Sequence, residues 1–190
     1  MGKVIKMDEK LKLHYSLLDC FIKEQSKPLI IAIEGKCASG KTTLANLFKD
    51  KYTIIHIDDF FLPESKKTKE RLLQIGGNIN YEAVFDLLVN IKEHKQIAYQ
   101  KFDCHNQTYS LVNMPYNEVI ILEGVYSYHP YFNQLVDKLV YFDINEETQF
   151  ARIKMRPNFK RFFSEWIPLE NNYYKHEKII TKADLVLKND

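Results

Sequence analysis

Apolar positions along the chain change period repeatedly, and the changes mark its elements. Leu11, His14, Leu18 and Phe21, with Val4 and Met7 before them, recur at helical spacing and predict an amphipathic helix over residues 4–25, closed before Pro28. "PLIIAIE" is a short continuous run rich in β-branched residues, the pattern of a parallel strand buried on both faces. "GKCASGKTT" interrupts it, and Leu44, Leu47 and Phe48 then resume at helical spacing. "YTIIHIDD", "EVIILEG" and "KLVYFDI" repeat the buried-strand pattern, with a helix "NYEAVFDLLVNIKEH" carrying Val84, Leu87, Leu88 and Ile91 on one stripe. "QIAYQKF" and "TYSLVNM" alternate instead and, joined by "DCHNQ", predict a hairpin. "EETQFARIKMR" opens a helix behind Asn145 as cap; "FFSEWIPLENNYYKHEKI" reads as helix interrupted at Pro168, and "ADLVLKN" as a last strand.

Alternating buried strands and helices predict an α/β fold, a mostly parallel sheet flanked by helices with its site at the strand C-termini. The 190 residues suit one domain, 1–190, with an N-terminal helix within 1–27. A composition 45% hydrophobic and 27% charged is that of a soluble globular chain, and no apolar run approaches the roughly 20 residues a membrane span needs. Secretory and myristoylation patterns are missing from "MGKVIKMDEKLKLHYSLLDCF", so the expectation is a cytoplasmic protein. Three widely spaced cysteines without a CxxC pair predict reduced thiols, and a net charge of +2 does not mark a nucleic-acid binder.

The chemistry concentrates in "GKCASGKT", which fits GxxxxGK[ST] from Gly35 to Thr42 between a strand and a helix. Glycines at 35 and 40 let successive amides of Ala38, Ser39, Gly40, Lys41, Thr42 and Thr43 converge on phosphate oxygens at a helix N-terminus. Lys41 is placed to reach the β- and γ-phosphates of ATP, and Thr42 to join a Mg²⁺ shell. Two further strand ends carry acids, Asp58-Asp59 and Glu123, which suits phosphoryl transfer: one acid for an acceptor hydroxyl, one for the metal. "TKAD" at 181–184 imitates a guanine-reading motif, but it precedes an apolar run rather than following one, and neither strand-end acid starts an Asp-x-x-Gly.

At these residues the chain resembles the uridine kinase and phosphoribulokinase branch of small-molecule P-loop kinases. "GKCASGKTTLA", "DDFF", "NINYEAVFD", "KFDCH" and "IILEGVYSY" carry the likeness, which runs through most of residues 29–188. The resemblance implies a P-loop kinase fold with an acceptor-side hairpin and a basic lid over 152–165. It makes Asp58 the general base, Glu123 a Mg²⁺-shell acid, and Phe60 and Phe61 aromatic residues near the acceptor. Asn80, followed by Tyr81, falls where nucleoside-phosphorylating relatives often carry an Asp against the ribose, a departure that replaces a carboxylate by a neutral amide. Phe102 and Asp103 resemble a Tyr-Asp pair near the base. His105 stands closer to Asp103 than the base-contacting histidine of typical uridine kinases, and reads either as a ligand contact or as a solvated hairpin residue.

"ARIKMRPNFKRFF" resembles the helix and lid that bring arginines onto ATP phosphates, implying that role for Arg152 and Arg156, with Arg161 either in the site or on a solvated face. Trp166 and Glu170 read as packing and lid support, or for Trp166 as a stacking surface. The implied activity is ATP- and Mg²⁺-dependent phosphorylation of a small hydroxyl compound, foremost the 5′-hydroxyl of uridine or cytidine. Nicotinamide riboside, pantothenate and ribulose 5-phosphate are acceptors within the same branch, and a nucleotide-binding regulatory module without acceptor is the reading from another class.

Overall fold

Residues 8–190 are described by the computed structural model, so Val4 and Met7 of the expected first helix lie outside the described residues. Helix α1 runs Glu9–Lys23, capped by the Asp8 carboxylate, which accepts the Leu11 N–H at 2.6 Å. It buries His14, Leu18 and Ile22. Strand β1 (Leu29–Glu34) leads through the glycine loop into α2 (Lys41–Asn46), followed by β2 (Thr53–His56). A 3₁₀ turn at Ile57–Phe60 and a small helix α3 (Lys69–Leu72) precede α4 (Tyr81–His94). The hairpin β3 (Ile97–Asp103) and β4 (Thr108–Met114), then β5 (Val119–Glu123) and β6 (Lys138–Asp143), come next. The chain closes with α5 (Glu146–Lys154), α6 (Phe159–Arg161), α7 (Ile167–Glu177), α8 (Ile179–Lys182) and β7 (Leu185–Lys188).

Five strands form a parallel sheet in the order β2-β5-β1-β6-β7, and β3-β4 stand apart as an antiparallel pair. Burial follows this division. β1 and β5 are buried along their whole length because helices cover both faces, whereas β3 alternates. Period-2 geometry sends Ile30 and Ala32 of β1 toward Val84, Leu87, Leu88 and Ile91 of α4. It sends Ile31 and Ile33 to the other face, against Leu18 and Ile22 of α1 and Leu44 and Phe48 beside α2. The register pairs Ile33 and His56 with Glu123, and Glu34 with Tyr141, so these strand ends finish along one edge of the sheet.

Pro168 does not interrupt a helix: a π-helical turn at Phe162–Trp166 precedes it, and Pro168 sits in the first turn of α7, where its ring is tolerated. "TKAD" has a structural use, since the Asp184 carboxylate accepts the Leu139 N–H at 2.8 Å and the Lys138 ammonium at 2.9 Å and so fixes the start of β7 against β6. Asn80 is the N-cap of α4, its Oδ1 accepting the Ala83 N–H at 3.2 Å. Asn80→Ala is therefore expected to lower stability by about 1 kcal/mol in a urea titration, as loss of a side-chain cap does.

Candidate active site

The glycine loop connects β1 to α2 at the C-terminal edge of the sheet. Gly35 and Gly40 have φ of +148° and +101°, and a Cβ on Gly35 would lie 2.4 Å from the Phe142 carbonyl oxygen. Side chains from four directions hold the loop. Arg152 donates to the carbonyls of Ala38 and Ser39, both at 3.2 Å, and Asn189 donates to the Ser39 carbonyl at 2.6 Å. Gln149 donates to the Cys37 carbonyl at 3.1 Å, and the Glu170 carboxylate accepts the Cys37 N–H at 2.9 Å. Arg152, expected on the ATP phosphates, thus braces the loop's backbone, while Arg156 lines the cleft above it with its guanidinium 5.4 Å from the centre of the Phe162 ring.

Behind the loop Glu34 is fully buried, and four donors meet its carboxylate: the N–H groups of Gly35 (3.0 Å) and Tyr128 (3.2 Å) and the hydroxyls of Tyr173 (3.0 Å) and Tyr174 (2.8 Å). Burial pushes its carboxyl above the ordinary range, opposed by the Gly35 and Tyr174 hydrogen bonds and by Lys41. Two adjacent tyrosines of α7 are thereby fastened to the root of the loop. Burial also pushes the Cys37 thiol up to about 12, which leaves it protonated and unreactive at neutral pH.

Lys41 is nearly buried, its ammonium 3.2 Å from the Lys36 carbonyl. The Thr42 hydroxyl lies 3.1 Å from Glu123 Oε2, and the other oxygen of Glu123 meets His56 Nδ1 at 2.5 Å. That hydrogen bond raises the pKa of His56. A hydroxyl and one carboxylate at a helix N-terminus are the few oxygen donors that suit Mg²⁺, an ion that keeps several waters and shares phosphate oxygens. Gly35 and Gly40 let the loop pack closely on Phe142 and Asn189 with positive φ, and its amides then lead into the N-terminus of α2, an arrangement likewise suited to a polyphosphate.

The acid pair after β2 divides its labour. Asp59 is buried, accepts the Tyr99 hydroxyl at 2.8 Å and pairs with Lys101 at 2.7 Å, which fastens the 3₁₀ turn to the hairpin. Asp58 points into the open. It lines a cleft of about 320 Å³ shared with Lys41, Thr42, Phe61, Arg156, Trp166 and Glu170. It also lines a second cavity, of about 510 Å³, on the hairpin side with Phe102, Asp103, His105 and Arg161. The enclosing walls push the Asp58 carboxyl above the ordinary carboxylate range, with Lys41 pulling it down.

Several expected acceptor contacts are placed differently. Phe60 is buried and stacks on Tyr99 at 4.9 Å between ring centres; its neighbour Phe61 lines both cavities. The 3₁₀ turn ends at Phe60 and the backbone becomes extended at Phe61, which bridges to Ile79, so the two side chains leave in different directions. Tyr81 is also buried, under the Arg71 guanidinium at 3.9 Å and against His129, and like Asn80 it lines neither cavity. The Asp103 carboxylate accepts the N–H groups of His105 and Asn106, which hold it below the usual range and shape the hairpin tip.

Sequence reasoning missed His56 and Glu34, although both had a signal, a polar residue ending a buried strand. No helix of the described residues is long and apolar enough to cross a membrane, and all three cysteines are free.

The chain matches no family model. It is 28% identical over 168 residues to uridine-cytidine kinase B of Dictyostelium discoideum, covering 82% of this chain and 68% of that protein. To the uridine kinase of Lactobacillus helveticus it is 26% identical over 141 residues, 66% of each chain. The solved structure of a possible uridine kinase from Bacillus stearothermophilus superposes with a TM-score of 0.74 at 22% identity, covering 94% of this chain and 99% of that one.

Proposed function

We infer, starting from a chain that belongs to the uridine kinase branch of P-loop kinases, that this phosphotransferase moves the γ-phosphoryl group of ATP to the 5′-hydroxyl of a pyrimidine ribonucleoside. One observation carries the reading. Asp58 and Phe61 line both the loop-side cleft and the hairpin-side cavity, so one carboxylate stands where a donor phosphate and an acceptor hydroxyl would meet.

In this reading the loop amides and Lys41 hold the β- and γ-phosphates, and Arg156 offsets the charge on the equatorial oxygens. Asp58 orients the acceptor hydroxyl and takes its proton as the new P–O bond forms and the bond to the ADP oxygen breaks. Thr42 and Glu123 would hold Mg²⁺, which supplies charge neutralisation on the phosphates. His56 fixes the Glu123 carboxylate through its 2.5 Å hydrogen bond. Glu34 and Glu170, which bind the loop backbone, keep its amides pre-set rather than ordered by the nucleotide.

The cations around the hairpin-side cavity are already paired: Lys101 with Asp59, Lys67 with Glu64, and Arg161 with Glu64 and Glu165. That favours an uncharged acceptor over ribulose 5-phosphate. ADP formation from Mg-ATP should accordingly rise with uridine or cytidine, yielding the 5′-monophosphate, and stay at background with ribulose 5-phosphate. Activation by nicotinamide riboside or pantothenate alone would transfer the assignment to that acceptor. Slow hydrolysis indifferent to every acceptor would replace the enzyme reading with the regulatory one.

A further inference from the structure

Among the described residues, Asp58, Phe61 and Trp166 line both the loop-side cleft and the hairpin-side cavity. Asp58 and Phe61 belong to the segment after β2, whereas Trp166 arrives from the lid, more than a hundred positions along the chain from Asp58. It is the chain's single tryptophan, and it is half-buried. The junction of the two cavities therefore combines one acid with two aromatic side chains.

The lid holds the indole there from several sides. Trp166 ends the π-helical turn Phe162–Trp166, and the Phe162 ring meets it edge-to-face at 4.4 Å between centres. Isolated π-turns are frequent at functional sites. On one side of the turn the Arg161 guanidinium lies 5.5 Å from the indole centre and pairs with Glu165 at 2.7 Å and with Glu64 at 3.0 Å. Glu64 follows Asp58 in the segment after β2, so this pair ties the lid to the wall that carries the acid. On the other side, Glu170 of α7 accepts the Cys37 N–H and ties the lid to the glycine loop.

A carboxylate that takes a proton from an alcohol can take one from water. Were water to reach the γ-phosphorus, its oxygen would attack, the bond to the ADP oxygen would break, its proton would pass to Asp58, and the products would be ADP and inorganic phosphate. The acid alone does not discriminate, so access to it must. We propose that Trp166 is a specificity-determining residue for the attacking nucleophile, its indole closing the junction over Asp58 and Phe61 so that the phosphoryl group passes to the bound acceptor hydroxyl and not to water. The inference rests on the kinase reading above and adds the residue that couples ATP cleavage to the acceptor.

The test compares the full chain with Trp166→Ala and Trp166→Phe, measuring ADP release from Mg-ATP with and without uridine and the uridine 5′-monophosphate formed, with ligand affinities by calorimetry and melting curves alongside. Wild type should release ADP and uridine monophosphate in equal amounts and hydrolyse little ATP without uridine. Trp166→Ala should raise the acceptor-free hydrolysis roughly tenfold relative to transfer, by admitting water to the junction, with Mg-ATP affinity unchanged. Trp166→Phe keeps an apolar aromatic face and should keep the wild-type ratio. A second measurement needs no variant. Acrylamide should quench the fluorescence of the half-buried indole in the free protein, and Mg-ADP with uridine together should protect it.

Wild type that phosphorylates uridine while Trp166→Ala keeps the same ratio of hydrolysis to transfer overturns the Trp166 assignment and leaves the kinase reading standing. Quenching that does not change when calorimetry shows both ligands bound overturns it too. Transfer and acceptor-free hydrolysis falling together in both variants, in step with a lower melting temperature, would make Trp166 structural and also overturns it. Wild type that responds to no hydroxyl compound overturns both.

Discussion

Lys41→Ala lowers phosphoryl transfer by roughly 10³-fold or more, the scale on which removing one preorganised charge from a transferring phosphoryl group acts. The lysine is nearly buried at the mouth of the loop, and its ammonium faces a cleft whose other cation is Arg156. The same charge pulls down the carboxyls of Glu34, Asp58 and Glu170, each of which burial pushes up. Removing it leaves three carboxyls without their counter-charge, so the variant should also bind Mg-ATP more weakly. A coupled ADP assay and a Mg-ATP titration check both parts. Wild-type turnover in this variant would remove the phosphate-binding role from the loop.

Asp58→Asn keeps Mg-ATP binding and lowers kcat by about 10²-fold or more, as loss of a positioned base does. Asp59→Asn should act elsewhere, loosening the contacts to Tyr99 and Lys101 and lowering the melting temperature with a smaller effect on kcat. The pH dependence separates them. The base works ionised, so the acid limb of the kcat/KM profile should lie above the ordinary carboxylate range near 3.9 and disappear in Asp58→Asn. Stability moves in the opposite sense. The folded state holds this proton more tightly than the unfolded chain, so Asp58 costs stability as pH rises from the unfolded pKa through the raised folded one. Asp58→Asn should remove that part of the decline. If Asp59→Asn were inactive and Asp58→Asn active, the two roles would be exchanged.

What could be read from the sequence was whatever depends on neighbours along the chain. Continuous β-branched runs mark strands covered on both faces, and the spacing of Val84, Leu87, Leu88 and Ile91 marks a helix covered on one; all four are buried. The loop from Gly35 to Thr42 is legible because its conformation is built from its own glycines and the strand and helix at its ends. Asn145 as a cap is legible for the same reason: its oxygen reaches only to Thr148.

The tertiary structure decided what depends on segments far apart. Phe60 and Phe61 are adjacent and chemically alike, and which of them faces the cleft is set by the 3₁₀ turn and by Tyr99 arriving from the hairpin. Asp58 and Asp59 are sorted by the same hairpin, because Tyr99 and Lys101 can satisfy only the acid that points at them. Arg152 is turned onto the loop by carbonyls more than a hundred positions away. Local pattern fixes the period and face of an element, but a side chain's partner is chosen by packing between elements, and a sequence read in windows does not contain that choice.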